Sequence, residues 1–339
     1  MARPGLPWDA ELVFRGMFKR VFSDAQGDLA QLYACCYARG VAPPLIHYHS
    51  PDEDSGRWLG FRFRPGDIVI SARRRSGTTW MQMICALLIF QTPRLPAPLS
   101  HLSPWLDHVI EPHHFVYARL DAQTNRRFIK THTPLAGIPL DPRATFVVTA
   151  RHPLDMFVSL RHHLDNYHHP GITQPTGKAV HAGSRETMHD SLLRWVAGAD
   201  DPGAYPESLP GVMWHLSDAW ARRGAPNVLL VRYDDLCADL EGQMRWLAWQ
   251  LGIAVPEQVW PRLVQAATFE RMRGRADHLA PSPPPGAAGD PRAFFRRGSP
   301  GAGREILSEE EIAGYHARAA QLAPPDMLEW LHRAPTPVG

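Results

Sequence analysis

The chain has 339 residues, of which 44% are hydrophobic and 21% are charged, a composition typical of a globular protein. Its length fits one large α/β domain or two small domains. The formal net charge of +2 argues against general nucleic-acid binding, which normally requires a marked excess of basic residues. No apolar stretch reaches the roughly 18 residues that a membrane-spanning helix needs.

Cysteine and histidine usage indicates neither a disulfide framework nor a metal site. The four cysteines, Cys35, Cys36, Cys85 and Cys237, include no Cys-x-x-Cys pair. The 18 histidines form no His-Glu-x-x-His motif or Cys/His knuckle. The N-terminus also lacks a basic region followed by an apolar run and a cleavage site. We therefore expect a cytoplasmic protein with reduced thiols and no metal.

The first 60 residues are weakly patterned. Glu11 to Phe22 and Asp28 to Tyr37 have the spacing of short amphipathic helices, and several prolines then lead to the first strand. We predict that residues 1–60 form a helical and extended segment, packed on a domain that spans residues 60–335.

Residues 67–90 predict a strand, a tight loop and a helix. Asp67 to Ile70 has the character of a buried parallel strand, and Thr78 to Phe90 is apolar with helical spacing. Between them, Gly77 lets the backbone approach a ligand closely. Because the first N–H groups of a helix have no partner within the helix, the loop is a candidate anion site.

The side chains of this loop suit phosphate or sulfate. They are Arg73, Arg74, Arg75, Ser76, Thr78 and Thr79. The spacing differs from Gly-x-x-x-x-Gly-Lys-Ser/Thr of nucleotide triphosphatases, because threonine follows Gly77 and the basic residue stands two places earlier, at Arg75. An ordinary Ser-Gly turn before a core helix is the alternative.

A second candidate site element follows the strand-like residues 127–130. Lys130, Thr131 and His132 end this strand, and Pro134 stops it. In an open α/β sheet, ligands bind at the carboxyl ends of the strands. Trp105, in the preceding proline-rich loop, either lines a pocket there or packs in the core.

Thr145 to Ala150 predicts another buried strand, followed by a helix with Pro153 in its first turn. Helical geometry would bring Arg151 and Ser159 toward one anion, although Arg151 could instead pair with a neighbouring carboxylate. Residues 170–211 are poorly patterned, apart from a helical patch at 187–196. We predict that residues 170–211 form an insertion or lid on the acceptor side.

The remaining pattern completes an α/β fold. Asn227 to Tyr233 predicts a further strand, and Leu240 to Leu251 predicts a helix. Strands that alternate with helices predict a mostly parallel sheet flanked by helices on both faces. Near the end, Phe294 to Gly298 is a basic turn suited to close over a phosphate, and Leu307 to Leu322 predicts a helix capped by Ser308.

These pieces together resemble, in chain order, the motifs of cytosolic-type sulfotransferases that use 3′-phosphoadenosine 5′-phosphosulfate (PAPS). They are Arg75-Ser-Gly-Thr-Thr-Trp80, Lys130-Thr-His-Thr-Pro134, Arg151 with Ser159, Tyr233-Asp-Asp, Thr268-Phe269 and Phe295-Arg-Arg-Gly298. The likeness covers about residues 60 to 330. Arg127 to Leu135, Leu99 to Asp107 and Gln321 to Asp326 look like the mycobacterial glycolipid sulfotransferase group.

The resemblance implies a single α/β domain with a P-loop-NTPase-like fold and a role for each matching residue. The 5′-phosphosulfate would contact Arg75, Ser76, Gly77, Thr78 and Thr79. The 3′-phosphate would contact Arg151, Ser159, Arg296, Arg297 and Gly298. The purine would contact Trp80, Tyr233, Thr268 and Phe269. His132 would be the general base, while Lys130 and Arg75 would stabilise charge on the sulfuryl group and on the leaving oxygen.

The chain departs from the family pattern at two positions. Arg75 replaces the usual loop lysine, which keeps the charge but changes its shape. The usual Trp and Lys after Gly298 are missing, so either Arg304 substitutes or closure over the nucleotide is looser.

The resemblance favours PAPS-dependent sulfuryl transfer to a hydroxyl of a small molecule, lipid or glycolipid. A P-loop kinase of a small metabolite is the main alternative, although it lacks the loop lysine and a clear magnesium carboxylate. A catalytically silent nucleotide-binding protein is the third. The sequence leaves the acceptor, peripheral membrane contact and the oligomeric state open.

Overall fold

Four short strands form the central sheet in the computed structural model, which describes residues 41–42, 44–166, 186–281 and 289–335. The strands are β1 (Ile68–Ser71), β2 (Phe128–Thr131), β3 (Thr145–Ala150) and β4 (Val228–Arg232). Their order across the sheet is β2-β1-β3-β4, and every neighbouring pair is parallel. The parallel sheet expected from alternating strands and helices is confirmed.

The strand register brings two chain segments out of the sheet side by side. Ser71, the last residue of β1, lies opposite Thr131, the last residue of β2, and also opposite Val148 in β3. The loop that begins at Ala72 therefore starts beside His132.

Helices surround the sheet. In chain order they are α1 (Thr78–Phe90), α2 (Leu99–Leu102), α3 (His113–Asp121), α4 (Pro153–Asp165), α5 (Met188–Ala197), α6 (Leu209–Ala221), α7 (Tyr233–Ala238), α8 (Leu240–Gln250), α9 (Trp260–Ala267), α10 (Phe269–Arg273), α11 (Ala276–Leu279), α12 (Pro291–Phe294), α13 (Glu309–Ala320) and α14 (Pro325–His332). Short 3₁₀ turns occupy Ser55–Trp58, Leu135–Gly137 and Glu257–Val259.

The core explains why α1 is apolar on nearly all sides. Residues 83–88 are fully buried between the sheet and the helices α8 and α9. A second cluster joins α4 and α5 to α6, α13 and α14. Truncating a buried leucine in such a core to alanine typically costs about 2–5 kcal/mol.

A buried ion pair joins the amino ends of β1 and β2. Arg127 donates from Nε to Oδ1 of Asp67 at 2.9 Å and from a terminal nitrogen to Oδ2 at 2.5 Å. Asp67, expected in the strand, thus lies just before it. Breaking a buried pair leaves an uncompensated charge, which is strongly destabilising. The ion pair therefore holds the amino ends of β1 and β2 together.

Several element boundaries differ from the sequence-based prediction. Residues 267–272, which have helical character in the sequence, do not form one helix: α9 ends at Ala267 and α10 begins at Phe269, because Thr268 is extended and its hydroxyl accepts from the Arg271 N–H as an N-cap. The Ser308 cap of the last long helix is confirmed as a capping box with Glu311. The predicted helices at 11–22 and 28–37, and residues 170–185 of the predicted lid, lie outside the described residues.

Candidate functional site

The loop before α1 has the backbone of an anion site. Gly77 has φ of 98° and Arg75 has φ of 67°, so both residues occupy the left-handed region. The N-cap residue of α1 is Gly77, which has no side chain to bond the first N–H groups of the helix, so these groups are available to a ligand. The Thr78 hydroxyl is buried and has no hydrogen-bond partner among the described residues. A bound anion would satisfy these donors.

Arg75 lies across this loop toward α4 and α12. Its Nε donates to the Ser159 hydroxyl at 3.0 Å, and a terminal nitrogen donates to the Phe294 carbonyl at 2.6 Å. The guanidinium also lies 4.0 Å from the centre of the Phe294 ring. The structure thus brings together Arg75 and Ser159, which are 84 residues apart in the sequence.

The other two loop arginines pair with carboxylates. Arg73 is buried and donates to Glu207 at 2.9 Å and to the His132 carbonyl. Arg74 donates to Asp52 at 2.7 Å. The sequence predicts that all three arginines bind the anion. In the structure, Arg73 and Arg74 instead pair with carboxylates of residues distant in the sequence.

His132 follows β2 and lies beside the anion loop. Its side chain is buried, and Nδ1 donates to the Ala72 carbonyl, which can only accept. This bond fixes the tautomer that leaves the lone pair on Nε2. Burial, together with Lys130 and Arg74, holds the pKa of His132 well below its usual 6.5. The imidazole is therefore neutral at physiological pH and can accept a proton at Nε2.

Trp105 joins His132 to Lys130. The Trp105 ring lies edge-on to His132 at a centroid distance of 4.6 Å, and the Lys130 ammonium lies 4.3 Å from the Trp105 centroid. Residues 104–106 run parallel to β2, with a bridge between Trp105 and Lys130. Of the two sequence-based alternatives, the structure places Trp105 at the site.

Lys130 has an unusual environment for a lysine. Burial is the main cause that lowers its pKa to about 8, and the Arg74 charge adds to the effect. An ammonium with this pKa remains mostly charged at pH 7 and loses its proton in the mildly alkaline range.

Asp107 is a site-organising residue that the sequence did not single out. Its buried carboxylate accepts from Trp58 Nε1 at 2.9 Å, from the Thr133 hydroxyl at 2.6 Å and from the Thr131 hydroxyl. These bonds hold the residues on both sides of His132. The Leu99 to Asp107 motif ends at this residue but does not reveal its partners, which come from two distant segments, Trp58 and residues 131–133.

A group of aromatic side chains lies beside the α1 loop. Trp80 and Tyr233 pack edge to face at 5.2 Å, and Trp80 Nε1 donates to the Ala267 carbonyl at 2.8 Å. Gly298 has φ of 72°, and a Cβ there would come within 2.3 Å of the Phe269 ring. Trp80 and Tyr233 are thus in direct contact, as are Phe269 and Gly298. Thr268 caps α10 immediately before Phe269.

Arg151 connects the aromatic group to the loop. Its guanidinium lies 4.4 Å from the Tyr233 ring centre, and one terminal nitrogen donates to the Arg75 carbonyl at 3.1 Å. Its Nε is buried without a hydrogen-bond partner among the described residues. Burial and the neighbouring Arg151 charge lower the pKa of Arg296. The positive charges of Arg151 and Arg296 together favour a bound anion in this region.

Arg297 lies apart from these residues. It is exposed and makes two bonds of 2.5 Å to the Glu305 carboxylate and one of 2.9 Å to the Ser299 hydroxyl. Its assignment to a phosphate stays a prediction that requires the Glu305 pair to open.

Asp155 fixes the loop after Gly298, a role that the sequence did not indicate. The buried carboxylate accepts from the N–H groups of Gly301 and Gly303, both at 2.7 Å. Arg304 is exposed, and its charge contributes, after burial, to the low pKa of His152 and of His332. Its substitution for the missing Lys stays a prediction. The short glycine-rich loop is tied to α4 through Asp155.

His163 on α4 is another residue that sequence reasoning missed. Burial and the charges of Arg75, Arg74 and Lys130 lower its pKa to about 3. Its ring lies 5.5 Å from that of Phe294. His163 is thus a second neutral imidazole within the field of the basic residues.

The described residues form neither a metal-binding cluster nor a membrane-spanning helix. No group of three or more His, Cys, Asp or Glu side chains within those ranges could hold a metal ion. None of the described helices has the length and apolar character needed to cross a bilayer.

Comparison with known proteins shows the family to which this chain belongs. Residues 65–323 match the sulfotransferase domain family. A glycolipid sulfotransferase of Mycobacterium tuberculosis is 40% identical over 310 residues, covering 85% of this chain and 94% of the relative, and one of Mycobacterium bovis is also 40% identical. Sulfotransferase 1A1 of Bos taurus is 27% identical over 244 residues, covering 70% of this chain and 75% of the relative.

Solved structures agree on the fold. Retinol dehydratase in a complex with retinol and PAP has a TM-score of 0.59 at 22% identity, covering 83% of this chain and 86% of that chain. Mouse sulfotransferase SULT7A1 complexed with PAP also has a TM-score of 0.59, at 18% identity, covering 82% of this chain and 92% of that chain. The parallel sheet and the loop before α1 are those of the P-loop-NTPase-like fold, and the chain belongs to the sulfotransferase family of enzymes.

Proposed function

We propose that the enzyme transfers the sulfuryl group of PAPS to a hydroxyl of a glycolipid. The observation that carries the proposal is the position of His132 and Lys130 beside the anion loop, at the carboxyl ends of β1 and β2. The names of the mycobacterial relatives support a glycolipid acceptor, and the PAP complexes of the structural neighbours support PAPS as the donor.

The residues present fit such a donor. The buried Thr78 hydroxyl and the Arg151 Nε lack partners among the described residues, as expected of groups that await phosphate or sulfate oxygens. The loop from Arg75 to Thr79 would hold the 5′-phosphosulfate. Arg151, Ser159, Arg296 and Gly298 would hold the 3′-phosphate, with Arg297 joining them. Trp80, Tyr233, Thr268 and Phe269 would border the purine.

In this proposal, His132 removes the proton from the acceptor hydroxyl through Nε2. The acceptor oxygen forms a bond to sulfur as the bond between sulfur and the 5′-phosphate oxygen breaks, which releases PAP. Lys130 and Arg75 offset the negative charge that develops on the sulfuryl group and on the leaving oxygen. A positioned base of this kind typically contributes about 10²–10⁴-fold to the rate.

Arg75 would act chiefly through binding. Its guanidinium is held by Ser159 and Phe294, so its orientation is set by two contacts before any ligand arrives. The planar guanidinium binds phosphate oxygens well, but it reorients less freely than a lysine ammonium as charge develops on the leaving oxygen.

Calorimetric titration without magnesium tests the donor class. We expect PAP to bind in the micromolar range and ATP to bind much more weakly, because only PAP places a phosphate at the 3′ position near Arg151. Magnesium-dependent ATP binding without PAP binding would contradict the proposal and favour a kinase. Mass spectrometry of glycolipids incubated with PAPS would then identify the product by its added sulfate.

A further inference from the structure

A set of interlocked charges lies beside the proposed reaction centre, and its carboxylates have no role in the sulfuryl transfer described above. Arg74 donates to Asp52 at 2.7 Å and lies 3.6 Å from a Glu207 oxygen. Glu53 contributes a further carboxylate, 3.9 Å from Arg74. We call Asp52, Glu53, Arg74 and Glu207 the polar cluster.

Trp105 connects the polar cluster to the base. The Arg74 guanidinium lies 5.4 Å from the centre of the Trp105 ring, and the same ring contacts both His132 and Lys130. His108 stacks on Trp105 at a centroid distance of 4.0 Å with nearly parallel planes. The cluster is therefore one side chain away from His132.

The polar cluster and Trp105 each include a polar atom without a hydrogen-bond partner among the described residues. Oε2 of Glu207 and Nε1 of Trp105 are buried without a hydrogen-bond partner within the described ranges, and Glu207 as a residue is only 8% exposed. A native protein rarely buries polar atoms without a partner, so each such atom requires an explanation. A hydroxylated ligand would donate to the Glu207 oxygen and accept from the Trp105 N–H.

The charges of the cluster narrow the ligand class. Arg74 is already balanced by carboxylates, so the cluster does not favour an anion. An apolar alcohol would leave Glu207 and Trp105 without partners. Burial raises the pKa of Glu53 to about 7, so this carboxyl can donate as well as accept near neutral pH. A neutral ligand with several hydroxyl groups matches this mixture of donors and acceptors.

We propose that the polar cluster and Trp105 bind the sugar of the acceptor, so that the enzyme selects a glycosylated acceptor over an apolar alcohol with one hydroxyl. This inference rests on the proposed function, because it assumes that His132 activates the acceptor. A site built to bind substrate hydroxyls strongly rejects analogues that lack them. Asp52 is half-exposed, so its single contact contributes less than the buried Glu207.

A matched pair of acceptors tests the inference: octyl glucoside and 1-octanol share the alkyl chain and differ in the sugar. Values of kcat/KM for both acceptors would be measured for the wild type and for Asp52→Asn and Glu207→Gln. We expect the wild type to prefer octyl glucoside by about 100-fold or more. We expect Glu207→Gln to lose about tenfold or more with octyl glucoside and Asp52→Asn to lose less, while both variants change less than about threefold with octanol.

Arg245→Gln is the control, because it removes an exposed ion pair with Glu257 that lies outside the site. Equal losses on both acceptors, or unchanged octyl glucoside turnover in both variants, would overturn the inference. Wild-type transfer to octanol at an equal rate, or to neither acceptor despite PAP binding, would also overturn it. Failure of the wild type to bind PAP would instead overturn the proposed function.

Discussion

Raising the pH above 7 should lower the activity of the enzyme, because Lys130 loses its proton. Because the pKa of Lys130 is about 8, its ammonium is about 90% protonated at pH 7 and about 10% protonated at pH 9. If the charge is needed to stabilise the leaving group, kcat/KM should fall by about tenfold between pH 7 and pH 9. The main cause is burial beside Trp105, and the second is the Arg74 charge.

The assay is the pH dependence of kcat/KM for PAPS from pH 5.5 to pH 9.5, with a glycolipid acceptor whose hydroxyl does not titrate in this range. This parameter reports the ionisation of the free enzyme, before donor charge raises the pKa of Lys130. His132 has a pKa well below 6.5, so no loss of base should appear as the pH falls to 6.5.

Two variants identify the group responsible. Lys130→Arg should lack the alkaline decline, since a guanidinium keeps its charge at pH 9. Arg74→Gln should move the midpoint of the decline to a higher pH, because it removes a charge that lowers the pKa of Lys130. An unchanged alkaline decline in Lys130→Arg, or a flat wild-type profile to pH 9.5, would refute the assignment.

Three further predictions concern the donor loop and acid stability. Gly298→Ala should weaken PAP binding at least tenfold by calorimetry, because the new Cβ would meet Phe269 at 2.3 Å at a φ of 72°; unchanged affinity would contradict this contact. Asp155→Asn can accept only one of two N–H groups, so it should weaken PAP binding but not adenosine 5′-monophosphate binding; equal losses would indicate a general defect. Burial lowers the pKa of His332 to about 4, so the unfolded state binds more protons than the folded state between pH 6.5 and pH 4. The Tm of the wild type should therefore fall over this range, and the Tm of His332→Gln should fall less steeply. Equal slopes for the two proteins would contradict this prediction.

The sequence predicted the elements whose signal is local. Ile68 to Ile70 and Thr145 to Ala150 are β-branched runs in a parallel sheet, where burial on both faces leaves little choice of conformation. Pro134 ends the segment that carries His132, so the position of this histidine at a strand end was also accessible.

The contacts that tune the site were not accessible, because they join distant segments. Glu207 neutralises Arg73 across 134 residues, and Asp107 holds Thr131 across 24. The sequence of three consecutive arginines, residues 73–75, does not show which of them pair with carboxylates. Likewise, Arg296 and Arg297 are neighbours in the sequence, yet Arg297 pairs with Glu305, whereas the pKa of Arg296 is lowered by burial and by the Arg151 charge.

Transfer of the ³⁵S-labelled sulfuryl group from PAPS to a glycolipid, by the wild type and by His132→Ala, would show whether the enzyme is a glycolipid sulfotransferase with His132 as its base. We expect labelled glycolipid with the wild type and a loss of about 10²-fold or more with His132→Ala, while calorimetry gives similar PAP affinity for both proteins. Labelled product at wild-type rates from His132→Ala would remove His132 from the mechanism. No labelled product from wild-type protein that binds PAP would contradict sulfuryl transfer to this acceptor.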